Sequence, residues 1–116
     1  MSLYSPKSFD RYVLSLKAVE VTLQWGGHAA KIGGKVFGFC GDDGGHIVFK
    51  VSEMAFEGLT AIEGISQAPY FAKRAWVSVG KDALGDKDLR AYIAESYRTV
   101  AAKLTRKTKA ELGLDL

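Results

Sequence analysis

The chain has 116 residues, 47% hydrophobic and 25% charged, with a formal net charge of +3 and a pI near 9.0. That balance excludes a disordered polyelectrolyte and a fibrous repeat, and the length sets a single domain, 1–116, with residues 1–4 and 110–116 expected as loose ends. No apolar run approaches the roughly 18 residues of a membrane span, so a membrane partner is not expected.

The charge is uneven. Residues 103–109 hold Lys103, Arg106, Lys107 and Lys109 with no acid, whereas residues 51–80 carry Lys73 and Arg74 against Glu53, Glu57 and Glu63. A basic end of this kind reads either as a solvated helix terminus, where cations suit the macrodipole, or as a surface for an anionic partner. Cys40 is the only cysteine, which rules out an internal disulfide. Its place in the apolar run Val36–Cys40 gives a buried thiol in a reducing compartment. With no signal-peptide core at the N-terminus, a cytoplasmic setting is expected.

Ser5–Pro6 opens a helix, Ser as N-cap and Pro at the first helical position. Phe9, Val13 and Leu16 follow at helical spacing, so the first element is expected over Pro6–Leu16. From Val19 the period changes. Glycine pairs at Gly26–Gly27, Gly33–Gly34 and Gly44–Gly45 separate short apolar alternations, and such pairs supply the positive φ of tight hairpin turns. A meander of Val19–Trp25, His28–Ile32, Lys35–Cys40 and His46–Val51 is expected. Gly33–Gly34–Lys35 lacks the spacing and following Ser/Thr of a phosphate-binding loop, which favours the hairpin reading.

Ser52 caps a short helix in which Met54, Ala55, Leu59 and Ile62 are expected to supply apolar contacts before Gly64. Pro69 then enforces a turn through Ala68–Pro69–Tyr70. Ala75–Val79 alternates as a fifth strand, with Ala75, Val77 and Val79 on one face and Trp76 and Ser78 on the other. After a loop at Lys81–Gly85, Asp86 is read as the N-cap of the longest helix. Its stripe, Leu89, Tyr92, Ile93, Tyr97, Val100 and Leu104, runs to a frayed end past Lys107. The sum is α+β: a mostly antiparallel sheet of about five strands, with an N-terminal, a short middle and a long C-terminal helix packed on one face.

Chemistry is sparse. His28, His46 and Cys40 share no metal-ligand spacing, Asp42–Asp43 fits a turn, and Cys40 has no nearby histidine in sequence to activate it. No catalytic residue, metal or cofactor is assigned, and the enzyme reading is the weakest. Two binding readings stand beside each other. In one, Lys73, Arg74, Lys103, Arg106 and Lys107 contact nucleic-acid phosphates with low sequence specificity, and an exposed ring stacks on a base. In the other, Tyr70 and Trp76 line a groove for a protein or small ligand, with Trp76 either packed or exposed.

An ordered set of segments carries a resemblance across nearly the whole chain, from Phe9 to Lys107. Trp25–Gly26, Gly34–Lys35–Val36–Phe37, Ala68–Pro69–Tyr70 with Trp76–Val77 and Val79, and Glu95–Ser96–Tyr97 with Val100 and Lys103–Leu104 together resemble the MmcQ/YjbR family of small bacterial proteins. The resemblance implies a CyaY-like α+β fold akin to a double-wing DNA-binding architecture, and it implies DNA as the partner by structural analogy. It brings no catalytic residues. Lys17 departs from the pattern, where a proline is expected after the first helix.

Overall fold

Pro6 opens α1 (Pro6–Leu14), and Ser5 stands at its N-cap in extended conformation, without a side-chain capping bond. The structure, a computed structural model, describes residues 2–114. α1 ends two residues short of the expected Leu16, and its buried face is Phe9 and Val13. The next strands are β1 (Val19–Gln24), β2 (Gly27–Ile32), β3 (Lys35–Gly41) and β4 (His46–Lys50). The first two turns are the two-residue loops Trp25–Gly26 and Gly33–Gly34, with positive φ at all four residues. Both have twist-compatible hairpin geometry, but the first falls on Trp25–Gly26 rather than on the expected pair Gly26–Gly27, so β1 stops short of Trp25 and Gly27 joins β2. Gly27 starts β2 because nothing larger fits: a Cβ there would lie 2.4 Å from the Cys40 carbonyl oxygen.

The sheet has six strands among the described residues, in the order β1-β2-β3-β4-β6-β5, every neighbouring pair antiparallel. The strand that the sequence does not announce is β5 (Ile65–Gln67), three residues at the sheet edge. β6 is Trp76–Gly80. Between them in sequence lies the Ala68–Ala75 segment, and before them α2 (Glu53–Thr60), capped by the Ser52 hydroxyl, which accepts the Ala55 N–H. α2 buries Phe56 and Leu59. The apolar roles expected of Met54 and Ile62 are not filled, for both side chains are exposed. A helix of eight residues presents one narrow face, and Phe56 and Leu59 occupy it.

α3 (Asp86–Ala102) crosses β3 and β4. Gly85, not Asp86, is its N-cap, and the Asp86 carboxylate instead accepts the Leu3 N–H. α3 also stops earlier than the stripe suggests. The chain breaks at Lys103, Thr105 re-caps it by accepting the Thr108 N–H, and α4 (Arg106–Glu111) follows. The core lies between the sheet and α1, α2 and α3, where Phe9, Phe37, Phe49, Val77, Val79, Leu89 and Ile93 are fully buried. Leu3 and Tyr4 belong to it at 3% and 2% exposure, so the expected loose N-terminal end is docked, with the Tyr4 hydroxyl donating to the Leu84 carbonyl. At the other end Leu112 and Leu114 pack on the core. Met1 and residues 115–116 of the expected loose ends lie outside the described residues.

Ser96 is the buried polar group that ties α3 to the sheet. The β3–β4 pairing ends at Gly38 opposite Phe49, so the Phe37 carbonyl of β3 and the Lys50 N–H of β4 lie beyond the ladder. The Ser96 hydroxyl donates to that carbonyl at 2.6 Å and accepts the Lys50 N–H at 3.0 Å. Ser96→Ala is expected to cost about 1–3 kcal/mol, because it leaves buried backbone groups of both strands unpartnered. A urea unfolding midpoint equal to that of the unmodified protein would refute the assignment.

Candidate nucleic-acid interface

Strand alternation sorts the side chains of β6. Val77 and Val79 point to the helices, and Trp76 points to the opposite face. There a second apolar cluster forms from Ala29, Phe39, Val48 and Ala68, with Val36, Phe71 and Trp76 packed against it. The Ala68–Ala75 segment folds back over this face. Gln67 pins it: the side-chain amide donates to the Ala68 carbonyl at 2.9 Å, and its oxygen accepts the Arg74 N–H at 2.9 Å. The clamp holds Tyr70 and Arg74 at φ values of +69° and +61°. Trp76 is half-buried and packs its ring on Phe71 at 4.6 Å between centroids.

Tyr70 and Trp76 therefore do not share one groove. Phe71 lies between them, and each opens on a different cavity. Tyr70, fully exposed, lines a cleft of about 560 Å³ with Trp25, Phe39, His46, Val48, Pro69 and Phe71. Trp76 lines a groove of about 500 Å³ at the other end of the sheet, with Lys35, Lys50, Lys103, Thr105 and Thr108. Val36, Val100 and Leu104 form the apolar part of that groove, and Gly33 its edge.

The groove is built by three distant pieces of chain. Lys35 starts β3 straight after the Gly33–Gly34 turn, Lys50 ends β4 directly opposite Trp76, and Lys103 follows the last turn of α3. No carboxylate lines it. Burial pushes the Lys50 pKa down, and the neighbouring Lys103 charge adds to the effect. Three lysines and two threonines therefore line one groove, an arrangement whose donors and positive charge are of the kind that suits an anion.

The sequence-predicted basic residues divide on this geometry. Lys103 is in the groove. Arg106 and Lys107 are exposed on the first turn of α4, next to Thr105 and Thr108 of the groove wall. Lys73 is exposed in the loop three residues before Trp76. Arg74 is not available in the same way: its guanidinium pairs with Glu53 at 2.9 Å and with Glu57, and lies 5.7 Å over the Phe56 ring. Two acids of α2 hold it. Lys35 and Lys50 were missed by sequence reasoning. The Gly33–Gly34 pair, read from sequence as a hairpin turn and not as a phosphate loop, stands with Gly33 at the edge of the groove.

Elsewhere the polar groups are structural. The His28 imidazole is held between Asp10 at 2.8 Å and Asp42 at 3.2 Å. Asp43 makes the turn bond expected of it, accepting the Gly45 N–H at 2.8 Å. Cys40 is buried, and burial pushes its thiol pKa up to about 12, which leaves it protonated and unreactive at neutral pH. Among the described residues no group of three or more His, Cys, Asp or Glu side chains is placed to hold a metal ion, and no helix is long and apolar enough to cross a membrane.

Comparison with known proteins adds the lineage. The chain matches no curated protein. Its fold is similar to the crystal structure of the Deinococcus radiodurans protein DR2400, a DUF419-domain protein, with a TM-score of 0.85 at 20% identity over 96% of this chain and 89% of that one. It is also similar to a Pseudomonas syringae protein solved by structural genomics, with a TM-score of 0.67 at 19% identity over 80% of this chain and 96% of that one. At these identities the likeness speaks for the fold alone. The YjbR family model matches residues 14–99, which spans β1 through most of α3 and takes in the hairpin turns and the Ala68–Ala75 loop, while Lys103, Thr105 and Thr108 of the groove lie beyond it. This chain belongs to the YjbR family.

Proposed function

We propose that the protein is a non-catalytic DNA-binding module that contacts phosphates with little sequence specificity, in a reducing, cytoplasmic setting. The observation that carries this reading is the groove in which Lys35, Lys50 and Lys103 converge with no carboxylate among the lining residues. Phosphate oxygens neutralise the Lys50–Lys103 repulsion, so an anionic ligand gains most where the free protein is least comfortable. Arg106 and Lys107, beside Thr105 and Thr108, extend the positive field around the groove, and Lys73 is a further exposed base. Arg74 contributes to the architecture of the loop rather than to the ligand.

The flat, repeating phosphate backbone suits this arrangement, because lysines act as point charges and read no base pattern. Fluorescence anisotropy of labelled duplex and single-stranded DNA at low and at physiological salt tests the reading. Micromolar binding that weakens steeply with salt is the expected result. Absence of binding at low salt would overturn it.

A further inference from the structure

On the far side of Phe71 from the lysine groove, the sheet face ends in the aromatic cleft, and two of its rings stay open to solvent although Trp25 also touches Phe39 and Phe71. Trp25 is 65% exposed and Tyr70 fully exposed, and both residues sit at positive φ, +55° and +69°. Bulky side chains rarely adopt that conformation, and it persists only where surrounding structure enforces it. Here the Trp25–Gly26 hairpin enforces one and the Gln67-clamped loop the other. The rings form a row. Trp25 meets Phe71 edge-on at 6.1 Å, and Phe71 packs on Trp76 at 4.6 Å, whose far side opens on Lys35, Lys50 and Lys103.

We infer that this row is a stacking platform for unpaired bases, so that the preferred partner is single-stranded DNA, its bases in the Trp25–Tyr70 cleft and its phosphates in the lysine groove. The inference rests on the phosphate-binding reading above and adds the kind of strand. A volume of about 560 Å³ accommodates a base with its sugar, and aromatic faces with a polar group at the edge suit a flat heterocycle. The His46 imidazole, its ring 5.8 Å from that of Phe39, supplies that polar edge. A paired base inside a duplex offers no free face to these rings, whereas an unpaired one does. The lysines beyond Trp76 supply the charge complement that a purely apolar partner would not need.

The test compares an oligo(dT) of about 12 nucleotides with a duplex of the same length, by anisotropy, for the unmodified protein, Trp25→Ala and Tyr70→Ala. Both substituted side chains are exposed, and circular dichroism checks that the fold is kept. The expected result is tighter binding of oligo(dT) than of duplex, with each substitution weakening oligo(dT) binding about tenfold and leaving duplex binding unchanged. Equal oligo(dT) affinity in all three proteins, or a preference for duplex, would overturn the stacking platform while the phosphate-binding reading survives. Absence of binding to either DNA at low salt would overturn both, and so marks the failure of the earlier reading. A second readout is direct: in Trp76→Phe, Trp25 is the single indole left, and oligo(dT) is expected to quench it, while unchanged emission at saturation would sink the inference.

Discussion

Neutralising two lysines, as Lys50→Gln with Lys103→Gln, is expected to weaken DNA binding on the order of 100-fold at low salt and to make the salt dependence shallower by about 1.8 in log–log slope. Each lost phosphate contact removes about 0.9 from that slope, and the two ammonium groups share one groove. The substitution removes the charge while keeping a polar, somewhat shorter side chain and leaves the backbone alone, and Ser96 bonds to the Lys50 N–H rather than to its ammonium. Stability is therefore expected to hold while binding falls. Arg74→Gln is the informative contrast. Its guanidinium is occupied by Glu53 and Glu57, so its removal is expected to leave the slope nearly unchanged. Salt titrations of the double variant that retain the original slope would remove the groove from the interface, whatever the affinity of the intact protein.

The largest expected effect on folding lies at Phe49. Its ring is fully buried in the middle of the sheet and stacks on Tyr92 at 5.4 Å with planes 11° apart. Phe49→Ala removes that ring and leaves a cavity between β4 and α3, at a cost of about 3–5 kcal/mol. A chain of this length has a total stability of roughly 6–17 kcal/mol, so a substantial share is lost. Urea unfolding is expected to show a midpoint lower by at least about 1 M. Met54→Ala, on an exposed side chain, is expected to stay within about 0.5 kcal/mol. A Phe49→Ala loss below about 1 kcal/mol would mean that the site collapses around the gap, and that the core is less rigid than its burial implies.

Legibility followed the range of the interactions. The Gly26, Gly33 and Gly34 turns were readable because positive φ is a local demand that glycine meets by itself. The alternation of β4 and β6 was readable for the same reason, each strand carrying its own period. β5 was not, since three residues hold no period and Ile65–Gln67 is a strand only because β6 lies beside it. The apolar stripe of α3 continues through Leu104, which explains why the helix looked longer than it is. A threonine cap at Thr105, invisible to the stripe, restarts the chain as α4.

The candidate interface was only partly legible. Lys103 and the aromatic segment around Tyr70 and Trp76 stood out in sequence, but a shared Tyr70–Trp76 groove did not follow. Alternation says that Trp76 opposes Val77 without saying which face the helices cover, and no sequence feature places Phe71 as the divider. Arg74 looked like a free cation because Glu53 and Glu57 are more than fifteen positions away along the chain. By itself, then, the sequence determined the α+β class, the hairpins, the family and the burial of Cys40, all set by local conformational preference and apolar period. Only the tertiary structure decided that Lys35, Lys50 and Lys103 share one carboxylate-free groove, that Arg74 is already paired, and that Trp25 joins Tyr70. Those neighbours come from separate strands and helices, and the closeness of charges that are far apart in sequence is fixed by packing alone.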